Sequence, residues 1–260
     1  MQGAKIGDAW LHAAADIRPG GRNVLYINSL GSDLRIWEGV VGRLAAAGYG
    51  ALRYDLRGHG LSDLGTPPKL IADHVADALG LMDAFGLRSA AVCGVSVGGV
   101  IALGLAQAAP QRVERLVLSN TGAKIGTPEM WNPRIAAVEQ GGVAAVTEAV
   151  LARWFPDKVR LGDAPEVALA RNMLSRTLPA GYVATCVALR DSDLTEAAKG
   201  VTVPALCVAG SEDGSTPPAL VRALSALVPG AEYAEIEGAG HLPCLQTPEV
   251  FAERVLAFLK

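Results

Sequence analysis

The chain lacks most of the features that mark a specialised environment. Among its 260 residues are only four cysteines, Cys93, Cys186, Cys207 and Cys244, far apart and without CxxC spacing. That pattern offers no disulfide framework and no sulfur metal site, and it predicts buried, reduced thiols. A charge excess is missing too: 23 Lys and Arg stand against 26 Asp and Glu. No general attraction to nucleic acid or to an anionic membrane surface follows, and any bound anion must be held by a few local cations. No apolar run reaches the length of a membrane span, and the N-terminal stretch lacks the charged-then-apolar pattern of a secretion signal. A cytoplasmic location is the expectation. There is also no internal repeat and no low-complexity tract.

What is present is apolar and periodic. Half of the residues are hydrophobic, which argues for a sizeable core and against disorder. Strand-like runs at 24–28, 51–55, 90–94, 116–120, 204–210 and 231–237 alternate with helix-like segments at 34–47, 70–85, 97–109, 218–228 and 248–259. Continuous apolar runs fit parallel strands covered on both faces, and the alternation predicts a doubly wound, mostly parallel α/β sheet. Two short strands within 4–16 are expected to add an antiparallel edge. From Gly122 to Lys199 the rhythm stops, and the stretch reads as several short helices inserted between two strands. An insertion there lies over the carboxyl ends of the strands, where open α/β sheets bind ligands. The expected organisation is a core of residues 1–121 and 200–260, with a helical cap of residues 122–199.

The chemistry is concentrated in three loops. Gly94-Val95-Ser96-Val97-Gly98 matches GxSxG between an apolar strand and a helix. In that context the serine occupies a strained turn that lifts its hydroxyl above the sheet edge at a helix N-terminus. A hydroxyl needs a base. Of the four histidines, His241 sits in EGAGHLPC between the last strand and the last helix and is best placed to reach the serine. His59, in DLRGHGLSD, reads as a brace for a glycine-rich loop; His12 and His74 read as structural or exposed. The base needs a carboxylate, and Asp213 follows the strand PALCVAG, giving the chain order Ser, Asp, His. Glu212 is expected to point elsewhere, and Asp55 reads as part of turn architecture. The developing oxyanion needs donors, for which the backbone N–H groups of Leu30 and Val97 are the candidates.

With these residues named, the chain resembles an α/β-hydrolase with a helical cap, and within that superfamily it resembles the 3-oxoadipate enol-lactonases. The stretches that carry the second resemblance are Asn28–Trp37, with NS where many relatives have HG, Asn120–Arg134, and Arg153-Trp154-Phe155. The resemblance implies a small anionic enol-lactone as substrate and no metal or organic cofactor; some relatives carry a fused decarboxylase domain, and none is expected here after Lys260. It also points to Arg134 as the cation for the substrate carboxylate, with Trp131 and Trp154 as apolar walls and Arg153 and Lys124 as weaker candidates. A solvated cap surface for Arg134 and lid packing for the two tryptophans stay open. So do other substrates of the same fold: a general carboxylesterase, a carbon–carbon bond hydrolase or a perhydrolase. A slow hydrolase-receptor that senses a ligand is the alternative outside enzymology. The sequence is compatible with a homo-oligomer.

Overall fold

The computed structural model describes residues 2–260. Its centre is an eight-stranded sheet: β1 (Gln2–Ile6), β2 (Ala9–Asp16), β3 (Asn23–Ile27), β4 (Gly50–Tyr54), β5 (Ala90–Val95), β6 (Val113–Ser119), β7 (Ala205–Gly210) and β8 (Glu232–Ile236). Their spatial order is β1-β2-β4-β3-β5-β6-β7-β8. β1 and β2 pair antiparallel at one edge, β2 meets β4 antiparallel, and all later neighbours run parallel. Residue pattern explains which is which. β3, β5 and β7 are buried at every position, as strands covered by helices on both faces must be. β2 alternates between buried and more exposed positions at its start, the mark of a strand with one wet face.

The covering helices of the sheet are α1 (Glu38–Ala46), α2 (Ile71–Ala84) and α3 (Val97–Ala108). α3 is buried from Val97 to Ala106, which accounts for its apolar composition all the way round. The run at 34–47, read as one helix, divides into a 3₁₀ turn at Leu34–Trp37 followed by α1. Asp33 caps that turn by accepting the Arg35 N–H at 3.0 Å.

Between β6 and β7 come six helices: α4 (Pro128–Gly141), α5 (Ala144–Trp154), α6 (Asp157–Arg160), α7 (Pro165–Ser175), α8 (Pro179–Arg190) and α9 (Thr195–Lys199). Prolines open α4, α7 and α8, where the missing N–H goes unnoticed. After β7 follow α10 (Pro218–Leu227), and after β8 the short α11 (Pro243–Gln246) and α12 (Pro248–Leu259). One apolar core runs through both the sheet layers and the inserted helices; it includes Trp37, Val92 and Leu118 as well as Val138, Leu151 and Leu174. All four cysteines are buried and free. Among the described residues no helix is long and apolar enough to cross a membrane.

Candidate active site

The parallel strands all point their carboxyl ends at one edge, so the loops that follow β3, β5, β6, β7 and β8 gather there. Ser96 follows β5 directly and starts α3 from a backbone at φ 59°, ψ −122°. A non-glycine residue there is strained. Such a turn leaves no room for side chains beside it: a Cβ on Gly94 would overlap the Gly98 carbonyl, and a Cβ on Gly98 would overlap the carbonyl of Ile27. The two glycines of the motif are therefore a steric requirement of this elbow. Val97 is the first residue of α3, so its N–H has no carbonyl one turn back to meet.

β3 pairs with β5 in the register Ile27 to Gly94. This register sets the loop Asn28–Asp33 beside the serine turn. Asn28 is fully buried and braces the loop: its Nδ2 donates to the Tyr54 carbonyl at 2.6 Å, and its Oδ1 accepts the indole N–H of Trp37 at 2.9 Å. Leu30 and Ser29 line the same cavity as Ser96 and His241. Ser29 Oγ is buried and without a partner there.

Asp213 and His241 come together although 28 residues separate them: His241 Nδ1 lies 2.9 Å from Asp213 Oδ2. Both are buried. The second carboxylate oxygen, Oδ1, accepts the N–H groups of Ser215 and Thr216 at 2.7 and 3.0 Å. Oδ2 also accepts from Thr216 Oγ1 at 2.7 Å and from Asn120 Nδ2 at 2.9 Å. Burial pushes this carboxyl up, but the charge of His241 and the hydrogen bonds from His241, Thr216 and Asn120 outweigh it, and its pKa falls below the ordinary carboxylate value. An ionised, acceptor-only group aimed at Nδ1–H fixes the imidazole tautomer that leaves Nε2 free to take a proton. Glu212 points away and pairs with Lys158 at 2.9 Å.

The other histidines lie elsewhere. His59 is fully buried, with Nδ1 2.9 Å from the Arg57 carbonyl, and burial lowers its pKa to about 4. His74, on α2, is also fully buried, which lowers its pKa to about 3. His12 sits 2.8 Å from Asp55. Asp55 in turn accepts the N–H groups of Leu34 and Leu61, so this pair ties β2 to the loops after β3 and β4.

The inserted helices close the cavity from above. Trp131 of α4 and Trp154 of α5 line it and are nearly inaccessible. The indole N–H of Trp131 donates to the Ile125 carbonyl at 2.7 Å, and Trp154 stacks on His241 with ring centroids 6.1 Å apart and planes at 25°. Arg134 lines the cavity with its guanidinium 4.9 Å from the Trp131 ring. Arg153 lines it as well, and its Nε is buried without a partner. Among the described residues neither arginine has a carboxylate within ion-pair distance. Lys124 instead pairs with Asp193 at 3.4 Å and does not line the cavity.

Residues 22–248 match the model of the alpha/beta hydrolase fold family. The chain belongs to the α/β hydrolases. Within that family it is 31% identical to 3-oxoadipate enol-lactonase 1 of Acinetobacter baylyi, over 91% of this chain and 88% of the relative. Among solved structures it is similar to an enol-lactonase from Burkholderia xenovorans, at 35% identity, 99% coverage of both chains and a TM-score of 0.94. A hydrolase from Pseudomonas aeruginosa gives the same TM-score, 0.94, at 34% identity, with 99% of this chain and 97% of that one covered.

Two residues of this α/β hydrolase site escape a reading by motif. Thr216 reaches both Asp213 and, at 3.2 Å, His241 Nδ1; the signal available was its place three residues after Asp213. Asn120 directly follows an apolar strand as a polar, fully buried residue, a break in pattern that the sequence shows.

Proposed function

We propose that this α/β hydrolase is a serine hydrolase that opens 3-oxoadipate enol-lactone to 3-oxoadipate, in the β-ketoadipate route of aromatic catabolism. The observation that carries the reading is a cavity in which two guanidinium groups without acidic partners lie beside Ser96 and His241. Unpaired cations at a cavity wall suit a substrate that brings its own carboxylate. The similarity to enol-lactonases over nearly the whole chain supports the same choice.

The steps follow from the chemistry of the groups. Ser96 Oγ attacks the ring carbonyl while His241 Nε2 takes its proton, and Asp213 stabilises the imidazolium. The tetrahedral oxyanion is held by the Leu30 and Val97 N–H groups; removing one such donor typically costs about 3–4 kcal/mol of transition-state stabilisation. Collapse breaks the ring C–O bond, His241 returns the proton to the departing enol oxygen, and the enol ketonises. Water, deprotonated by His241, then attacks the Ser96 ester; as that C–O bond breaks His241 returns the proton to Ser96 Oγ, and the free acid leaves. Side chains and water supply every proton. Arg134 holds the carboxylate, and Trp131 and Trp154 form the apolar walls.

The test is direct. Freshly generated enol-lactone is incubated with wild type and with Ser96→Ala, and loss of its ultraviolet absorbance is followed. Turnover by wild type alone is expected; no turnover by wild type removes the lactonase reading.

A further inference from the structure

β6 lies between the strand that leads to Ser96 and the strand that leads to Asp213. Its last residue and the two that follow, Ser119, Asn120 and Thr121, are polar yet fully buried. Buried polar groups persist when their hydrogen bonds are made, and the bonds of this tripeptide go to the candidate triad on every side. The Ser119 carbonyl accepts the Ser96 N–H at 3.0 Å, and Thr121 Oγ1 donates to the Ser96 carbonyl at 2.7 Å. Asn120 Nδ2 donates to Asp213 Oδ2 at 2.9 Å and to the carbonyl of Gly240, the residue before His241, at 3.2 Å.

The orientation of the Asn120 amide is forced. Both neighbours of Nδ2 are acceptors without a proton, while Oδ1 receives the Ser119 hydroxyl at 2.7 Å. The backbone is held as firmly: Asn120 N–H donates to the Val208 carbonyl of β7 at 2.7 Å. Asn120 also has φ 47°, the left-handed region that favours glycine. Strain of this kind survives when the surroundings over-determine it.

We propose that Asn120 is a positioning residue for the hydrolytic reaction. It rests on the triad reading above. Its two amide protons bind the acid and the backbone of the base at once, so Asp213 and His241 keep one fixed relation to each other. The same tripeptide is bonded to both sides of Ser96, which sets that pair in register with the nucleophile. A side chain that only filled space would need neither proton.

Asn120→Gly is the cleanest variant, because glycine accepts the left-handed backbone and only the side-chain bonds are lost. Two readouts are compared. The first is the low-field proton resonance of His241 Nδ1–H, assigned by its absence in His241→Gln. It is expected to shift and broaden in Asn120→Gly. The second is hydrolysis of p-nitrophenyl acetate. There kcat is expected to fall by about a hundredfold, as for a misplaced catalytic group, with KM within about twofold. In an Asp213→Ala background the same substitution should have almost no further effect, because the group it positions is gone. Asn120→Ser, with one proton for two acceptors, should show a smaller loss of the same kind and serves if the glycine variant does not fold. An unchanged resonance in the folded variant overturns the proposal. So does an equal loss of kcat with and without Asp213. If wild type hydrolyses no ester, the hydrolase reading fails, and the resonance still decides the role of Asn120.

Discussion

At the sheet edge, Asp213 collects five hydrogen bonds and is nearly inaccessible. Across the same cavity, Arg134 and Arg153 carry full charges that no carboxylate of the described residues neutralises. Both are charged regions of one protein, but the first is satisfied from within and the second is not. A charge satisfied internally is fixed in place, which suits a group that must act in the same geometry on every turnover. A charge left unmatched is stabilised only when a ligand arrives, which suits recognition. The division predicts that substitutions on the sheet side change kcat and that substitutions on the helical side change KM.

The largest effects test the sheet side. Ser96→Ala and Asp213→Asn should each lower kcat by about 10⁴-fold while melting stays cooperative. In Asp213→Asn an amide N–H₂ replaces one acceptor among donors, so the imidazole loses its tautomer. Steady-state hydrolysis of the enol-lactone measures both, and a loss under tenfold for either would break the division at its stronger end.

Next comes Arg134→Ala. A charge-assisted hydrogen bond is worth about 1.5–3 kcal/mol, so KM for the anionic lactone should rise by about tenfold to a hundredfold. A neutral ester of similar size should be unaffected. Equal effects on both substrates would sink the carboxylate role. Arg153→Ala should act in the same direction and less strongly.

The smallest effect concerns an exception to the sheet-side rule. His74 is buried with both ring nitrogens unpartnered, and burial lowers its pKa from 6.5 to about 3. Between those two values the unfolded chain binds a proton at His74 that the folded chain does not. Stability from this group is therefore complete above about pH 6.5 and declines as the pH falls towards 3. His74→Leu should flatten the fall of Tm with acid and leave kcat and KM unchanged. Thermal melts at stepped pH check it; an unaltered slope removes His74 from the acid response.

Much of this was legible in the sequence, for physical reasons that also mark where legibility ends. Strands β3, β5 and β7 announce themselves because a strand covered on both faces has no polar position to blur it. β6 begins at Val113, three residues before the apolar run at 116: the charged pair Glu114-Arg115 breaks the apolar pattern, and the ladder to β5 skips Glu114 and resumes at Arg115. The positions 96, 213 and 241 stand out because each follows a recognisable strand. Asn120 does not, since its bond to Asp213 depends on the pairing of β6 with β7, which no local pattern encodes, and Thr216 is one of several polar residues after Asp213 until the loop is folded. Nor could a sequence separate Arg134 and Arg153, which line the cavity, from Lys124, which does not; that depends on how the inserted helices are rolled.

The end of α5 joins the two regions. The last carbonyls of α5 leave the insertion and meet the loops that carry Asp213 and His241: Arg153 O accepts the Gly214 N–H at 3.1 Å, and Trp154 O accepts the His241 N–H at 2.8 Å. Gly240 has no space for a side chain because that Trp154 carbonyl fills it. A swinging α5 would therefore break the bonds that seat His241. The end of α5 acts as a fixed jamb of the cavity. A chimera that exchanges the inserted helices with those of a relative would also inherit a new alignment of Asp213 and His241, unless the end of α5 were left in place.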